Sequence, residues 1–232
     1  MNRITAYIRQ SLQEIYPPEE VKALSMLICC DMLGLDALDI YMGKDIILSE
    51  CKQRELENII FRLQKNEPIQ YIRGFAEFSG RNFKVASGVL IPRPETAELV
   101  ELIVKENPNA RHLLDIGTGT GCIAISLDKE LPDIEVEAWD ISEEALAIAR
   151  KNNDALEAGV RFLQRDVLSD DWEKVPSFDV IVSNPPYVTE TEKNEMDANV
   201  LDWEPGLALF VPDEDPLRFY NRIARLGSEL LL

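Results

Sequence analysis

The sequence predicts an α/β protein: a doubly wound, Rossmann-like parallel sheet, preceded by a small all-helical domain and a β-hairpin linker. Three observations predict it. Beyond about residue 95, apolar runs rich in β-branched residues alternate with helical periodicities, the pattern of a parallel sheet with right-handed crossovers. A glycine-rich loop, Gly117-Thr118-Gly119-Thr120-Gly121, sits between a strand and a helix of that series. Ahead of the alternation, residues 1–72 carry helical spacing only.

The elements follow in order. Ile4, Ile8, Leu12 and Ile15 share a helical face that Pro17-Pro18 interrupts. A second helix from about Glu19 buries Val21, Leu24, Leu27 and Ile28. Gly34 and Gly43 bound a shorter third segment, and Ser49 caps a fourth helix whose stripe is Leu56, Ile59, Ile60 and Leu63. Residues 73–94 form the linker. In it, Phe75–Val85 turns at Ser79-Gly80 as a hairpin, and Pro92 and Pro94 bracket Arg93 in a stiff extended stretch. Residues 95–232 form the third region. A helix carrying Leu99, Leu102 and Ile103 ends at Asn107-Pro108. Strands then read at His112–Ile116, Val136–Asp140, Arg161–Asp166 and from Phe178, with helices between, one of them carrying Ala145, Leu146, Ile148 and Ala149.

The last of these strands ends in Asn184-Pro185-Pro186-Tyr187. A Pro-Pro pair cannot continue a ladder, because each ring removes a donor and fixes φ. The chain leaves the sheet in a rigid turn, with free carbonyls aimed into the crevice where open α/β sheets bind ligands. The Asn184 amide oxygen, those carbonyls and the Tyr187 ring suit a planar group bearing N–H bonds, either an amide or the exocyclic amine of a base.

Size and composition exclude several classes. At 232 residues there is room for one large or two modest domains with a core, and 46% hydrophobic with 28% charged residues is ordinary for a globular protein. Twenty-four basic against 42 acidic residues leave a net charge of −18, which disfavours nucleic acid and favours a cationic partner or cofactor. Cys29, Cys30, Cys51 and Cys122 show no metal-ligand spacing, and with His112 the sole histidine no metal site is expected. No secretory pattern or membrane-length apolar run is present, so a cytoplasmic protein without membrane partners is expected.

The glycine loop narrows the cofactor. A dinucleotide fingerprint wants glycine at its first, third and sixth positions, and the sixth here is Cys122. Asp140 ends the next strand, placed for ribose hydroxyls, with Ile141 beside it. Asp166 ends the third strand, placed for an adenine amino group, with apolar Val167 against the ring. Asp115, at the entry to the loop, suits an ammonium group. The ligand these residues imply is S-adenosylmethionine.

With these features in strand order, the chain resembles class I S-adenosylmethionine-dependent methyltransferases. More narrowly, it is similar to the HemK/PrmC family of protein-(glutamine-N5) methyltransferases. Further matches are Pro68–Gly74, the Phe75–Val85 hairpin, Ile91–Thr96, and Trp203-Glu204-Pro205 followed by Ala208–Phe210. The resemblance implies methylation of the glutamine in the Gly-Gly-Gln motif of peptide chain release factors, and a docking role for the helical domain. It places Arg93, Glu95 and Thr96 at the substrate or cofactor mouth; Ala97 departs from the Glu that the family often carries. It also implies that Ser228–Leu232 opens a fifth strand, followed in the family by an antiparallel pair that closes the sheet. A chain ending there is expected to be less stable than an extended one.

In the mechanism expected, the Asn184 side-chain oxygen and the Pro185 carbonyl each accept one N–H of the glutamine amide, and Tyr187 packs on its plane. Rival readings are an N6-adenine type nucleic acid methyltransferase, a ribosomal protein glutamine methyltransferase, a nicotinamide-dependent oxidoreductase, and a cofactor-binding module without turnover.

Overall fold

The computed structural model describes residues 2–169 and 175–231. The chain forms two compact units, one ending at Arg73 and the other beginning at Gly74.

The first unit is helical: α1 (Arg3–Leu12), α2 (Pro18–Leu27), a π-helical turn at Ile28–Met32, α3 (Ala37–Tyr41), α4 (Glu50–Leu63) and α5 (Ile69–Arg73). Side chains start most of them. Asn2 accepts from Thr5 N–H, Asp36 from Leu38 and Asp39, and Ser49 from Lys52, each satisfying an orphan helix donor. The core joins Ile4, Ile8 and Leu12 to Val21, Leu24 and Ile28 and to the stripe Leu56, Ile59, Ile60 and Leu63. Two expected members differ. Ile15 lies past the end of α1 and is 40% exposed, because the helix stops at Leu12. Leu27 is only half-buried, since Ser25 takes a buried position on α2 by donating to Val21 O.

The second unit opens with β1 (Phe75–Phe78) and β2 (Arg81–Lys84), paired antiparallel. Their turn puts Ser79 at φ 47° and Gly80 at φ 71°, the doubly left-handed turn whose twist matches that of a hairpin. Then come α6 (Pro94–Glu106), β3 (His112–Ile116), α7 (Cys122–Glu130), β4 (Glu135–Asp140), α8 (Glu143–Ala155), β5 (Arg161–Gln164) and β6 (Val180–Ser183). After these lie β7 (Val188–Thr189), α9 (Ala198–Leu201), β8 (Phe210–Val211) and α10 (Arg218–Leu230). The main sheet is parallel, in the order β5-β4-β3-β6.

Alternation along the strands divides the core. Leu113, Val136, Ala138 and Val182 pack with α6, α7 and the hairpin residues Phe78 and Phe83. Leu114, Ile116 and Trp139 pack with Leu226 and Leu230 of α10 on the other face. Leu102, expected on the buried stripe of α6, is 53% exposed; that helix buries Val100 and Ile103 instead.

One strand expectation is corrected. Ser228–Leu230 is helical, not extended, because Leu226 and Leu230 are one helical turn apart and both reach the core. Only Leu231 bridges in parallel to Phe178, and Leu232 lies outside the described residues.

Candidate active site

Strand order reverses between β3 and β6, and a crevice opens beyond their carboxyl ends, as expected at such a switch point. A cavity of about 440 Å³ fills it, within the range of small-molecule sites. Of the expected residues, Gly117, Gly119, Asp140, Ile141, Asp166, Val167, Asn184, Pro185 and Pro186 line it. Asp115, Thr118, Thr120 and Gly121 lie behind the lining, and Arg93, Glu95, Thr96 and Tyr187 outside it. Tyr187 is 59% exposed, just past the rigid turn.

The glycine loop has two functions, separated by the space beside each glycine. Gly117 (73°), Gly119 (55°) and Gly121 (79°) are all left-handed. A Cβ on Gly117 or Gly119 would meet nothing within 4 Å, because these residues floor the open cavity. A Cβ on Gly121 would lie 3.0 Å from Ile125 Cδ1 and 3.3 Å from Ala149 Cβ, so this glycine lets α7 and α8 pack closely. The loop is held from two sides. Gly119 N–H donates to Asp140 Oδ2 at 2.8 Å. Asn152, buried on α8, donates from Nδ2 to Thr120 O (2.9 Å) and Lys84 O (3.1 Å), while its Oδ1 accepts from Lys84 N (2.7 Å).

The three aspartates differ in environment. Asp115 is fully buried. Its Oδ2 accepts from Thr118 Oγ1 at 2.6 Å, and its Oδ1 has no hydrogen-bond partner of ordinary geometry. Burial pushes its carboxyl up to about 7; the Thr118 hydroxyl and the Ala124 N–H oppose the shift, and Asp140 adds to it. Asp140 is also raised, first by burial, while N–H groups of Ser142, Gly119 and Ile141 favour its charged form. Its Oδ1 accepts from Ser142 N at 2.9 Å, so each oxygen takes one backbone donor and keeps acceptor capacity for hydroxyls. Asp166 Oδ1 accepts from Leu168 N at 2.8 Å. Burial drives the Cys122 thiol up to about 12, which leaves it unreactive. Asp140 ends β4, but Asp166, expected to end the third strand, lies two residues past β5, which stops at Gln164. These residues fit an adenosine-bearing cation: the two carboxylates, apolar Ile141, Val167 and Leu168, and an open glycine floor share one cavity. Among the described residues no cluster of His, Cys, Asp or Glu is arranged to hold a metal ion.

At the other wall, Ser183 Oγ donates to Ile116 O at 2.7 Å, locking the ends of β6 and β3 together beside Asn184. Asn184 Nδ2 donates to Thr96 Oγ1 at 3.4 Å. Arg93 turns from the cavity and pairs at 2.6 Å with Glu204, whose side chain is 2% exposed. Sequence reasoning missed Asn152 and Glu204 as well as the cavity walls at Gly88–Leu90 and Leu207–Ala208. A buried Asn in mid-helix has no sequence signature. Glu204 sat in a stretch singled out for resemblance alone.

Residues 4–74 match the PrmC N-terminal domain family, and residues 93–201 match the Methyltransferase small domain family. The release factor glutamine methyltransferase of Bacteroides thetaiotaomicron is 84% identical over 231 residues, covering 100% of this chain and 83% of that protein. That of Flavobacterium psychrophilum is 43% identical over 227 residues, covering 96% and 79%. That of Streptococcus pneumoniae is 42% identical over 215 residues, covering 92% and 75%.

Proposed function

This chain belongs to the release factor glutamine methyltransferase family, and on that premise we propose how it works and on what. It is an S-adenosylmethionine-dependent methyltransferase, and its substrate is the side-chain amide of a release factor glutamine. We take that glutamine to be the one in the Gly-Gly-Gln motif. The observation that carries the reading is that Asn184, Pro185 and Pro186 line the same cavity as Gly117, Gly119, Asp140 and Asp166.

When bound, S-adenosylmethionine supplies a methyl group on an electrophilic sulfonium. Asp140 is assigned the ribose hydroxyls, Asp166 the adenine amino group, and Ile141 and Val167 the faces of the ring. Asp115 is assigned the ammonium end, reached through Thr118 and the loop above it. The amide nitrogen of glutamine is a weak nucleophile because its lone pair is delocalised into the carbonyl. The Asn184 side-chain oxygen and the Pro185 carbonyl each accept one of its N–H bonds. Two fixed acceptors aim the nitrogen and stabilise the positive charge that develops on it, without reorganising during transfer. Tyr187, exposed at the rim, is assigned to the protein substrate.

The helical unit is assigned to docking of the release factor. Leu38, Tyr41, Met42 and Ile47 are apolar yet 66%, 85%, 72% and 95% exposed, a set that supports a protein-binding surface. A substrate from the translation machinery supports a cytoplasmic enzyme. Among the described residues no helix is long and apolar enough to cross a membrane.

The test is mass spectrometry of a release factor after incubation with enzyme and S-adenosylmethionine. Wild-type enzyme adds one methyl group to the glutamine. Asn184→Ala lowers turnover by about two orders of magnitude or more, with cofactor affinity nearly unchanged. Wild-type turnover in that variant removes Asn184 from the chemistry.

A further inference from the structure

Two stretches singled out in the sequence, Ile91–Thr96 and Trp203–Pro205, have no part in the chemistry above, yet the fold brings them together. Glu204 Oε2 accepts from Ile91 N at 3.0 Å across 113 residues, and Oε1 accepts from Arg93 Nη2 at 2.6 Å across 111. The Glu204 side chain is 2% exposed and Arg93 35%. Ile91, Arg93 and Glu204 do not line the cavity, but Leu90, next to Ile91, and Pro205, next to Glu204, do. One carboxylate therefore stitches two cavity walls together.

The stitch also reaches the turn that holds Asn184. Pro92 and Pro94 have fixed φ and flank Arg93, so the segment transmits a position as a short rod. Arg93 is the N-cap residue just before α6, and in the first turn of that helix Thr96 Oγ1 accepts from Asn184 Nδ2 at 3.4 Å. The direction of that bond matters. A carboxamide has donors at one end and an acceptor at the other, and a half-turn would present Asn184 donors to the donors of the substrate. A charge-assisted grip on two donors fixes distance and angle in a way that an apolar contact, free to slide, does not.

We propose that Glu204 is a positioning residue for methyl transfer. By gripping Ile91 and Arg93 it holds the first turn of α6 in place, so that Thr96 occupies Asn184 Nδ2 and leaves Oδ1 for the reacting amide. The proposal rests on the acceptor role assigned to Asn184.

A double-mutant cycle tests it. Thermal unfolding, S-adenosylmethionine affinity by calorimetry, and kcat and KM for a release factor are measured for Glu204→Gln, Asn184→Ala and the double variant. The expected result is a fall in kcat of about tenfold or more for Glu204→Gln, with cofactor affinity within about threefold. The double variant is no slower than Asn184→Ala alone, because residues acting as one unit are not additive. Multiplicative losses, or wild-type kcat in Glu204→Gln, overturn the proposal. Wild-type kcat in Asn184→Ala instead overturns the acceptor reading beneath it. If Glu204→Gln fails to fold, Thr96→Val enters the same cycle, since it removes only the hydroxyl that meets Asn184. A kcat loss in Thr96→Val that persists in the Asn184→Ala background overturns the proposal in the same way, as does no loss at all.

Discussion

Alanine at Gly119 and at Gly121 separates space reserved for cofactor from space reserved for packing. Both glycines sit in the left-handed region, at φ 55° and 79°, which costs any other residue about 1–2 kcal/mol. At Gly119 that is the whole folding cost, since a Cβ there meets nothing within 4 Å. At Gly121 the methyl also presses on Ile125 Cδ1 at 3.0 Å, Ala149 Cβ at 3.3 Å and Phe162 Cζ at 3.4 Å. The Ile125 tip can rotate away, but the Ala149 methyl is fixed to its helix backbone. Overpacking of this kind costs about 1–3 kcal/mol, for a total of about 2–5 kcal/mol. At about 2–4 °C per kcal/mol for a chain of this size, Gly121→Ala melts lower by about 10 °C and Gly119→Ala by about half as much. Binding reverses the order. The Gly119→Ala methyl enters the cavity floor and weakens S-adenosylmethionine by more than about tenfold, whereas folded Gly121→Ala binds within about threefold of wild type. Thermal unfolding by circular dichroism and titration calorimetry read the two quantities separately. Wild-type cofactor affinity in Gly119→Ala, or a wild-type melting temperature in Gly121→Ala, refutes the reasoning.

Three other predictions follow from described contacts. Asn152→Asp turns a donor to two carbonyls, the buried one of Thr120 and the part-buried one of Lys84, into a charged acceptor facing both. It lowers stability by about 3 kcal/mol or more, and an unchanged urea midpoint contradicts this. Asp115→Asn tests a pH dependence. The wild-type carboxyl is raised by burial to about 7 from an ordinary 3.8, so the folded state keeps a proton that the unfolded chain has released. Wild-type stability therefore falls as pH rises from about 4 to 7 and is lowest above that window, while the permanently neutral variant lacks this slope. Denaturant midpoints of the two proteins diverge as pH rises, and parallel midpoints at pH 5 and pH 8 rule the account out. Replacing exposed Tyr41 and Met42 together by alanine raises KM for the release factor several-fold at constant kcat; unchanged KM removes those residues from the docking surface.

The features legible in the sequence were those carried by local pattern. Apolar runs alternating with period-3.6 spacing located the strands at His112, Val136 and Arg161 and the helices between them. Motif chemistry located the glycine loop, Asp140, Asp166 and Asn184-Pro185-Pro186 around one cavity. What stayed hidden depends on pairs of residues far apart in the chain. Glu204 was marked only by resemblance, and its role emerges when Ile91 and Arg93 arrive beside it. Asn152 reads as a surface residue of α8 until the hairpin and the glycine loop close over it. The strand expected at Ser228–Leu232 rested on the family resemblance and not on a local pattern. The longer spacing of Leu226 and Leu230 prevails through α10, and the extended register begins only at Leu231.

The pairing of β7 with β8 has a consequence for divergence among relatives. Val188 N–H donates to Leu209 O, and Thr191 is held through its N–H and its hydroxyl by Asp213, so the segment departs and returns at one stem. Glu204 adds an anchor just before the return. Glu192 also accepts from the N–H and hydroxyl of Thr189, and Lys193 lies over the ring of Phe210, a cavity-lining residue, so these two residues belong to the stem. Changes of length or sequence are therefore absorbed between residues 194 and 202 and not at the stem, which keeps the catalytic turn and the cavity wall in register.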